Sequence, residues 1–248
     1  MKYKAIIFDL DGTAIPNNFN GIPSEQLINT ISNAQNTIKL CAATGRSISM
    51  AKDILSALQL KDPCVISAGT QIINPLTDEI LWEVTLESDD VKEILKICTP
   101  YPYEVLVRNE LIGEGGTAAL RAISGNINVI YVMGCAENDA EVMLTELNKL
   151  NDVTAAGVRS WSLDKVDLHI THRDATKEHA VSELLRILGL SKDEVIGVGD
   201  GDNDIHLFAG VGLKVAMGNS TNKLKSLSDE ITDSVDDNGL ARTINKYS

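Results

Sequence analysis

Short apolar runs that stop abruptly at polar clusters alternate along this chain with segments of helical periodicity. Ala5–Phe8 is apolar throughout, the pattern of a strand buried on both faces, and it ends in Asp9-Leu10-Asp11-Gly12-Thr13. A polar loop over 14–21 leads to a helix with Ser24 as N-cap. A second apolar strand, 38–43, runs into Thr44-Gly45-Arg46-Ser47; Ile48, Ala51, Ile54, Leu55 and Leu58 then recur at helical spacing, which starts a helix at Ser47. Residues 65–66 form a third strand, and 71–73 with 79–83, joined through Asn74-Pro75, read as a hairpin.

The texture changes near Trp82. Ser88 caps a helix with Asp89 and Asp90 in its first turn. Strand-like pieces follow at 103–107 and 111–112, then a Gly-rich turn, a short helix over 118–123, a strand at 127–133, a helix at 140–150, and strands at 153–158 and 160–163. Such a mixture predicts an α+β insert with a partly antiparallel sheet. Near Lys165 the first pattern resumes. The expected elements are a strand at 166–170, a helix over 176–188 stopped by Gly189, and a buried strand at 195–198. That strand ends in Gly199-Asp200-Gly201-Asp202-Asn203-Asp204; a further strand at 213–216, a stretch from Thr221 and a helix near Leu240 follow. The predicted fold class is therefore α/β: a doubly wound, parallel-sheet core formed by 1–81 and 165–248, with an inserted α+β cap domain at 82–164. An insert that leaves and re-enters the core near the carboxyl ends of the strands is expected to roof whatever site lies there.

Composition narrows the classes. At 248 residues with 44% hydrophobic and 23% charged, the chain is an ordinary globular one, and no apolar run approaches the roughly 20 residues of a membrane span. No signal peptide is visible, and Cys41, Cys64, Cys98 and Cys135 are too scattered for a zinc site or disulfide frame, so a reducing, cytoplasmic setting is expected. A net charge of −13 with no basic stripe argues against nucleic acid. It also means that an anionic substrate would need a local cation to draw it in.

In open α/β sheets the ligand crevice lies beyond the carboxyl ends of the strands, and three such ends carry polar groups here. These are Asp9 with Asp11, then Thr44-Gly45-Arg46, then Asp200 to Asp204; Lys177, in a helical first turn, adds a cation where the helix dipole disfavours one. Rival motifs fail. The Asp200 cluster has Ile205 and Val211 where a calcium loop needs Gly and Glu. Gly197-Val198-Gly199 lacks the last glycine of a dinucleotide fingerprint, and no P-loop occurs. His169 and His172 lack metal-site partners, and the sequon at Asn219 means nothing without secretion.

Asp9-Leu10-Asp11-Gly12-Thr13, Ala43-Thr44-Gly45-Arg46, Lys177 and Gly199 to Asp204, in that order, resemble the haloacid dehalogenase superfamily of aspartate-nucleophile phosphatases. The wording and the insert are similar to its Cof-type branch with an α/β cap. Two stretches depart from that branch and bear on substrate identity: Ala68-Gly69-Thr70 and residues 172–175. The resemblance implies Asp9 as nucleophile and Asp11 as general acid and base, with Lys177 keeping Asp9 ionised below Asp11. It implies Mg²⁺ on the carboxylates of Asp9 and Asp200 and the backbone carbonyl of Asp11, with Asp204 behind them. Thr44, Gly45 (at a helix start) and Asn203 would take phosphoryl oxygens, whereas Arg46 is either a substrate contact or a surface ion pair; Asp202 is expected to be solvated. The implied activity is Mg²⁺-dependent hydrolysis of small phosphate esters, sugar phosphates first, by a monomer or small homo-oligomer with no nucleic-acid or membrane partner. Sugar phosphotransfer and a non-catalytic phosphoacceptor are the alternatives. The leaving group would be read by turns such as 108–110 or 113–117.

Overall fold

The computed structural model describes residues 2–18, 20–107, 110–111, 126–162 and 164–248. The turns at 108–109 and 113–117, the helix expected over 118–123 and Leu163 lie outside the described residues. The chain forms two compact units: Met1–Trp82 with Lys177–Ser248, and Glu83–Thr176.

The first unit is built on β1 (Ala5–Phe8), α1 (Glu25–Ala34), β2 (Lys39–Ala42), α2 (Ile48–Ala57), β3 (Cys64–Ile66), β4 (Gln71–Ile73) and β5 (Ile80–Glu83). Its strands β3, β4 and β5 form a small sheet in that order, and one parallel bridge, Ala43 with Val65, joins β3 to the end of β2. The second unit contains α3 (Ser88–Cys98), β6 (Glu104–Val107), β7 (Glu110–Leu111), β8 (Val129–Cys135), α4 (Glu137–Leu147), β9 (Val153–Arg159) and β10 (Val166–His172). The chain then returns through α5 (Lys177–Leu188), β11 (Val195–Gly199), α6 (Ile205–Ala209), β12 (Leu213–Ala216), α7 (Asn222–Leu227), β13 (Glu230–Ile231) and α8 (Gly239–Tyr247).

The main sheet of the first unit runs β13-β12-β11-β1-β2, all parallel, with Ala5 opposite both Val195 and Lys39. Alternation along β1 sorts its side chains to two faces. Ile6 and Phe8 join Leu27 and Ile31 of α1, Ile54 and Leu55 of α2, and Leu240 and Ile244 of α8. Ala5 and Ile7 join Val181 and Leu184 of α5 and Leu207 and Phe208 of α6. Helices thus cover both faces, which is why β1 and β11 are apolar at every position. All four β1 residues are fully buried, and the chain emerges at their carboxyl end as Asp9.

The second unit carries an antiparallel sheet, β7-β6-β8-β10-β9, with α3 and α4 on one face. The strand expected at 166–170 in the core belongs here instead: β10 lies between β8 and β9. Its residues explain this, because Val166, Leu168 and Ile170 alternate with Asp167 and His169 as a half-buried antiparallel strand requires. The expected strand at 160–163 is not formed by 160–162, which bend into the β9–β10 hairpin. There Ser160 N–H donates to the Lys165 carbonyl (3.2 Å) and Asp164 takes a left-handed φ of 57°. All four cysteines are buried, and burial pushes the Cys64 and Cys98 thiols up to about 12, as befits apolar filling. Among the described residues no helix is long and apolar enough to cross a membrane.

Candidate active site

The site lies where β1 and β11 end. Asp9 continues β1 by one hydrogen bond, its N–H donating to the Val198 carbonyl (3.0 Å), and its carboxylate is buried. Lys177, the first residue of α5, is buried too and donates from Nζ to Asp9 Oδ1 and to Asp204 Oδ1, each at 2.7 Å. Asp204 is fully buried and commits its second oxygen to the backbone: Asp200 and Gly201 N–H donate to Oδ2 at 3.0 and 3.1 Å. Gly199 makes this possible, since a Cβ there would stand 2.6 Å from the Asp204 carboxylate. Asp204 therefore both anchors Lys177 and shapes the Asp200 turn.

Asp9, Asp200 and Asp204 offer carboxylate oxygens that all lie within 4.8 Å of one another. Two like charges about 4 Å apart repel by ~4 kcal/mol at an effective dielectric of about 20. One ammonium cannot neutralise three carboxylates. Burial pushes the Asp9 carboxyl well above the ordinary aspartate range; Lys177 pulls it down, and Asp204, Asp200 and Asp11 push it up again. For Lys177, burial alone would lower the pKa, but the two carboxylates outweigh it and hold the ammonium charged. Lys177 is thus the one cation that opposes desolvation and three neighbouring acids at Asp9 among the described residues. The surplus negative charge, the hard oxygen donors and their close spacing suit a divalent cation.

Asp11 faces elsewhere. Arg46 grips it in a fork, Nε to Oδ2 at 2.9 Å and Nη2 to Oδ1 at 2.6 Å, and Nη2 also donates to the Asn18 carbonyl (3.1 Å). Arg46 is buried and Asp11 half-buried, so this is a partly buried ion pair rather than a surface one. The Arg46 N–H in turn donates to the Thr44 hydroxyl (3.1 Å), itself buried. Thr44 and Gly45 precede the helix start, because α2 begins at Ile48 with Ser47 as its N-cap. Asn203 sits half-buried in the turn Asp202–Asp204 with its amide folded over Gly201. Asp202 is exposed and accepts from the Thr221 hydroxyl.

One neighbour stands out in the sequence only as a sequon and not as a site residue. Asn219, past the end of β12, donates from Nδ2 to the Gly12 carbonyl (2.8 Å) and reaches Asp200 Oδ2 at 3.4 Å. The available signal was its position: a fourth parallel strand end in the same sheet, followed by Gly-Asn. Gly12 itself has φ +81°, and a Cβ on it would meet Asp200 Oδ2 at 2.2 Å. Only glycine lets the Asp9 loop lie against Asp200.

A doubly wound sheet whose neighbouring strand ends bring the buried carboxylates of Asp9 and Asp204 to one lysine defines the class: an α/β protein with an aspartate–lysine site at the carboxyl ends of its strands. The chain belongs to the haloacid dehalogenase-like hydrolase family, whose family model matches residues 6–244, and is a phosphatase of that family. The 5-amino-6-(5-phospho-D-ribitylamino)uracil phosphatase of Bacillus subtilis is 24% identical over 263 residues, covering 98% of this chain and 96% of that protein. Phosphoglycolate phosphatase 1 of Saccharolobus solfataricus is 40% identical over 79 residues; that match spans 32% of this chain and 35% of the archaeal protein. The fold is similar to the solved structure of a haloacid dehalogenase-like hydrolase from B. subtilis, with a TM-score of 0.83, 20% identity and coverage of 99% and 100% of the two chains.

Proposed function

We propose that the chain hydrolyses small phosphate monoesters, sugar phosphates first, through an aspartyl-phosphate on Asp9 with Mg²⁺ as cofactor. The observation that carries this reading is the buried Asp9–Lys177–Asp204 chain beside Asp200 at the ends of β1 and β11. An Asp9 oxygen attacks phosphorus, and the new O–P bond forms as the bond to the alcohol oxygen breaks. Asp11 gives its proton to that departing oxygen. In the second step Asp11 takes a proton from water, the water oxygen bonds to phosphorus, and the Asp9 O–P bond breaks to release inorganic phosphate and restore the carboxylate. Both Asp11 oxygens accept from Arg46 in the structure, so the acid step needs this fork to open at the oxygen that carries the proton, and Arg46 re-engages the carboxylate once the proton has left. Lys177 holds Asp9 and offsets phosphoryl charge, while Thr44, Gly45 and Asn203 orient the phosphoryl oxygens.

Asp9 and Asp200 with the Asp11 backbone carbonyl would hold Mg²⁺, which would neutralise phosphoryl charge and add to Lys177 the local positive potential that an anionic substrate needs in a protein of net charge −13. Asp204, committed to Lys177 and two amides, is assigned to orienting them. The inserted unit is assigned to reading the leaving group; among relatives, the printed names of two specify phosphoglycolate and a phosphoribityl compound, both small. Asp9→Asn should remain folded and lose essentially all Mg²⁺-dependent phosphate release from a panel of sugar phosphates, and rapid-quench runs of the wild type should trap an acid-stable, hydroxylamine-labile phosphoenzyme. Activity of the variant within about tenfold of wild type would remove Asp9 as nucleophile. Transfer to a sugar hydroxyl in preference to water, seen in the same assay, would replace hydrolysis by phosphotransfer.

A further inference from the structure

Asn219 makes three bonds that only a carboxamide can make together. Its Nδ2 donates to the Gly12 carbonyl at 2.8 Å and faces Asp200 Oδ2 at 3.4 Å, while its Oδ1 accepts from the Val235 N–H at 2.8 Å. Two donors and one acceptor on one flat group are the inventory of Asn. A carboxylate would turn an acceptor toward a carbonyl and another carboxylate, and a hydroxyl is too short to span all three. The amide orientation follows from its partners, because Val235 N–H requires an oxygen and Gly12 a nitrogen. The group thereby ties together three loops of one unit: the one after β1, the one after β11 and the one after β13.

The two loops it joins on its donor side are those that carry the acidic cluster. Gly12 and Asp200 are already in close apposition, with no space for a Cβ between them. A donor touching both sets their separation, and the 3.4 Å contact, long for a hydrogen bond, still turns positive charge toward Asp200. We propose that Asn219 is a positioning residue that holds Asp200 and the Asp9–Gly12 loop at the spacing a divalent cation needs, and that it links this spacing to the segment around Val235. The inference rests on the Mg²⁺ reading above. Groups that orient ligands from behind typically change metal affinity by about ten- to hundredfold when removed.

The test uses the full chain with Asn219→Ala and Asn219→Ser, with Mg²⁺ alone as titrant in calorimetry and thermal melts in chelator. Asn219 is exposed, so water can solvate the groups it leaves, and the metal-free melting temperature should move by no more than about 3 °C. The expected result is Mg²⁺ affinity weaker by about tenfold or more, with kcat reduced and KM for a phosphate ester changed less than kcat. Unchanged Mg²⁺ affinity in either folded variant overturns the inference while leaving the Mg²⁺ reading intact. Unfolding of both variants makes Asn219 a structural staple and equally overturns it. A wild-type protein that binds no Mg²⁺ overturns the reading on which the inference rests, and the inference with it.

Discussion

Lys177 is the residue on which the most depends, because it is the cation shared by two buried carboxylates. Removing one partner of a buried ion pair leaves uncompensated charge and costs about 3–5 kcal/mol. Lys177→Met should lose stability on that scale at pH 8, measured by urea unfolding in chelator. Burial already pushes Asp9 above the ordinary aspartate value of 3.8, and without the ammonium that rise grows. An acid whose folded pKa is raised binds its proton more tightly folded than unfolded, so the folded state gains at low pH and loses as pH climbs through the raised value. The deficit of Lys177→Met should therefore shrink at pH 5.5, and an equal deficit at both pH values would contradict the buried-charge account. Arg46 shows how a residue's role escapes the sequence. Its position after Thr44-Gly45 marks it as near the crevice, but nothing in the chain says that its partner is Asp11, 35 residues earlier. Asn219 escapes in the same way, since its bonds reach Gly12, 207 residues away.

Among elements, the parallel strands were the most legible, because burial on both faces leaves an unbroken apolar run such as Ala5–Phe8 that stops where the polar site begins. The strand β10 is visible in the sequence, but its sheet is the antiparallel one, and its alternation of Leu168 and Ile170 with Asp167 and His169 carries that answer. The five-residue α6 and two-residue β13 are too short for any periodicity to show. The turn after β3 was noted only as a departure, and the backbone gives that departure a physical meaning. Ser67, Ala68 and Gly69 take φ values of 53°, 60° and 99° in succession, and the first two carry a Cβ that resists this. Ser67 N–H donates to the Arg46 carbonyl (2.7 Å), so the turn is held from the side that also grips Asp11. Ala68→Gly should relieve one strained residue and raise unfolding free energy by about 0.5–1 kcal/mol, even after glycine's own entropy is counted. A lower midpoint in chemical denaturation would mean that Ala68 is not strained in solution.

At the scale of the molecule, the two units differ in how the chain supplies them. The Glu83–Thr176 unit is continuous and has its own core, in which Ile94, Leu95, Ile130, Val132, Met143 and Leu168 are all fully buried. Produced alone, residues 83–176 should fold cooperatively, with a sigmoidal melt and dispersed amide resonances; a broad, non-cooperative melt would show that this core is insufficient. The other unit is discontinuous, and its interior strand β1 pairs on one side with β2 and on the other with β11, where Ala5 meets Val195. This order of pairing has a consequence during synthesis. A chain emerging at roughly 5–20 residues per second leaves the β11 side of β1 without a partner for about ten seconds or longer. Throughout that interval a fully apolar strand presents an open edge, while the inserted unit completes itself in between. The nascent protein is thus expected to depend on holding chaperones for residues 1–82 and on none for residues 83–176, and ribosome-bound intermediates stalled near residue 215, where the inserted unit has left the ribosome and β11 has not, should show a protected 83–176 unit preceded by a protease-sensitive segment.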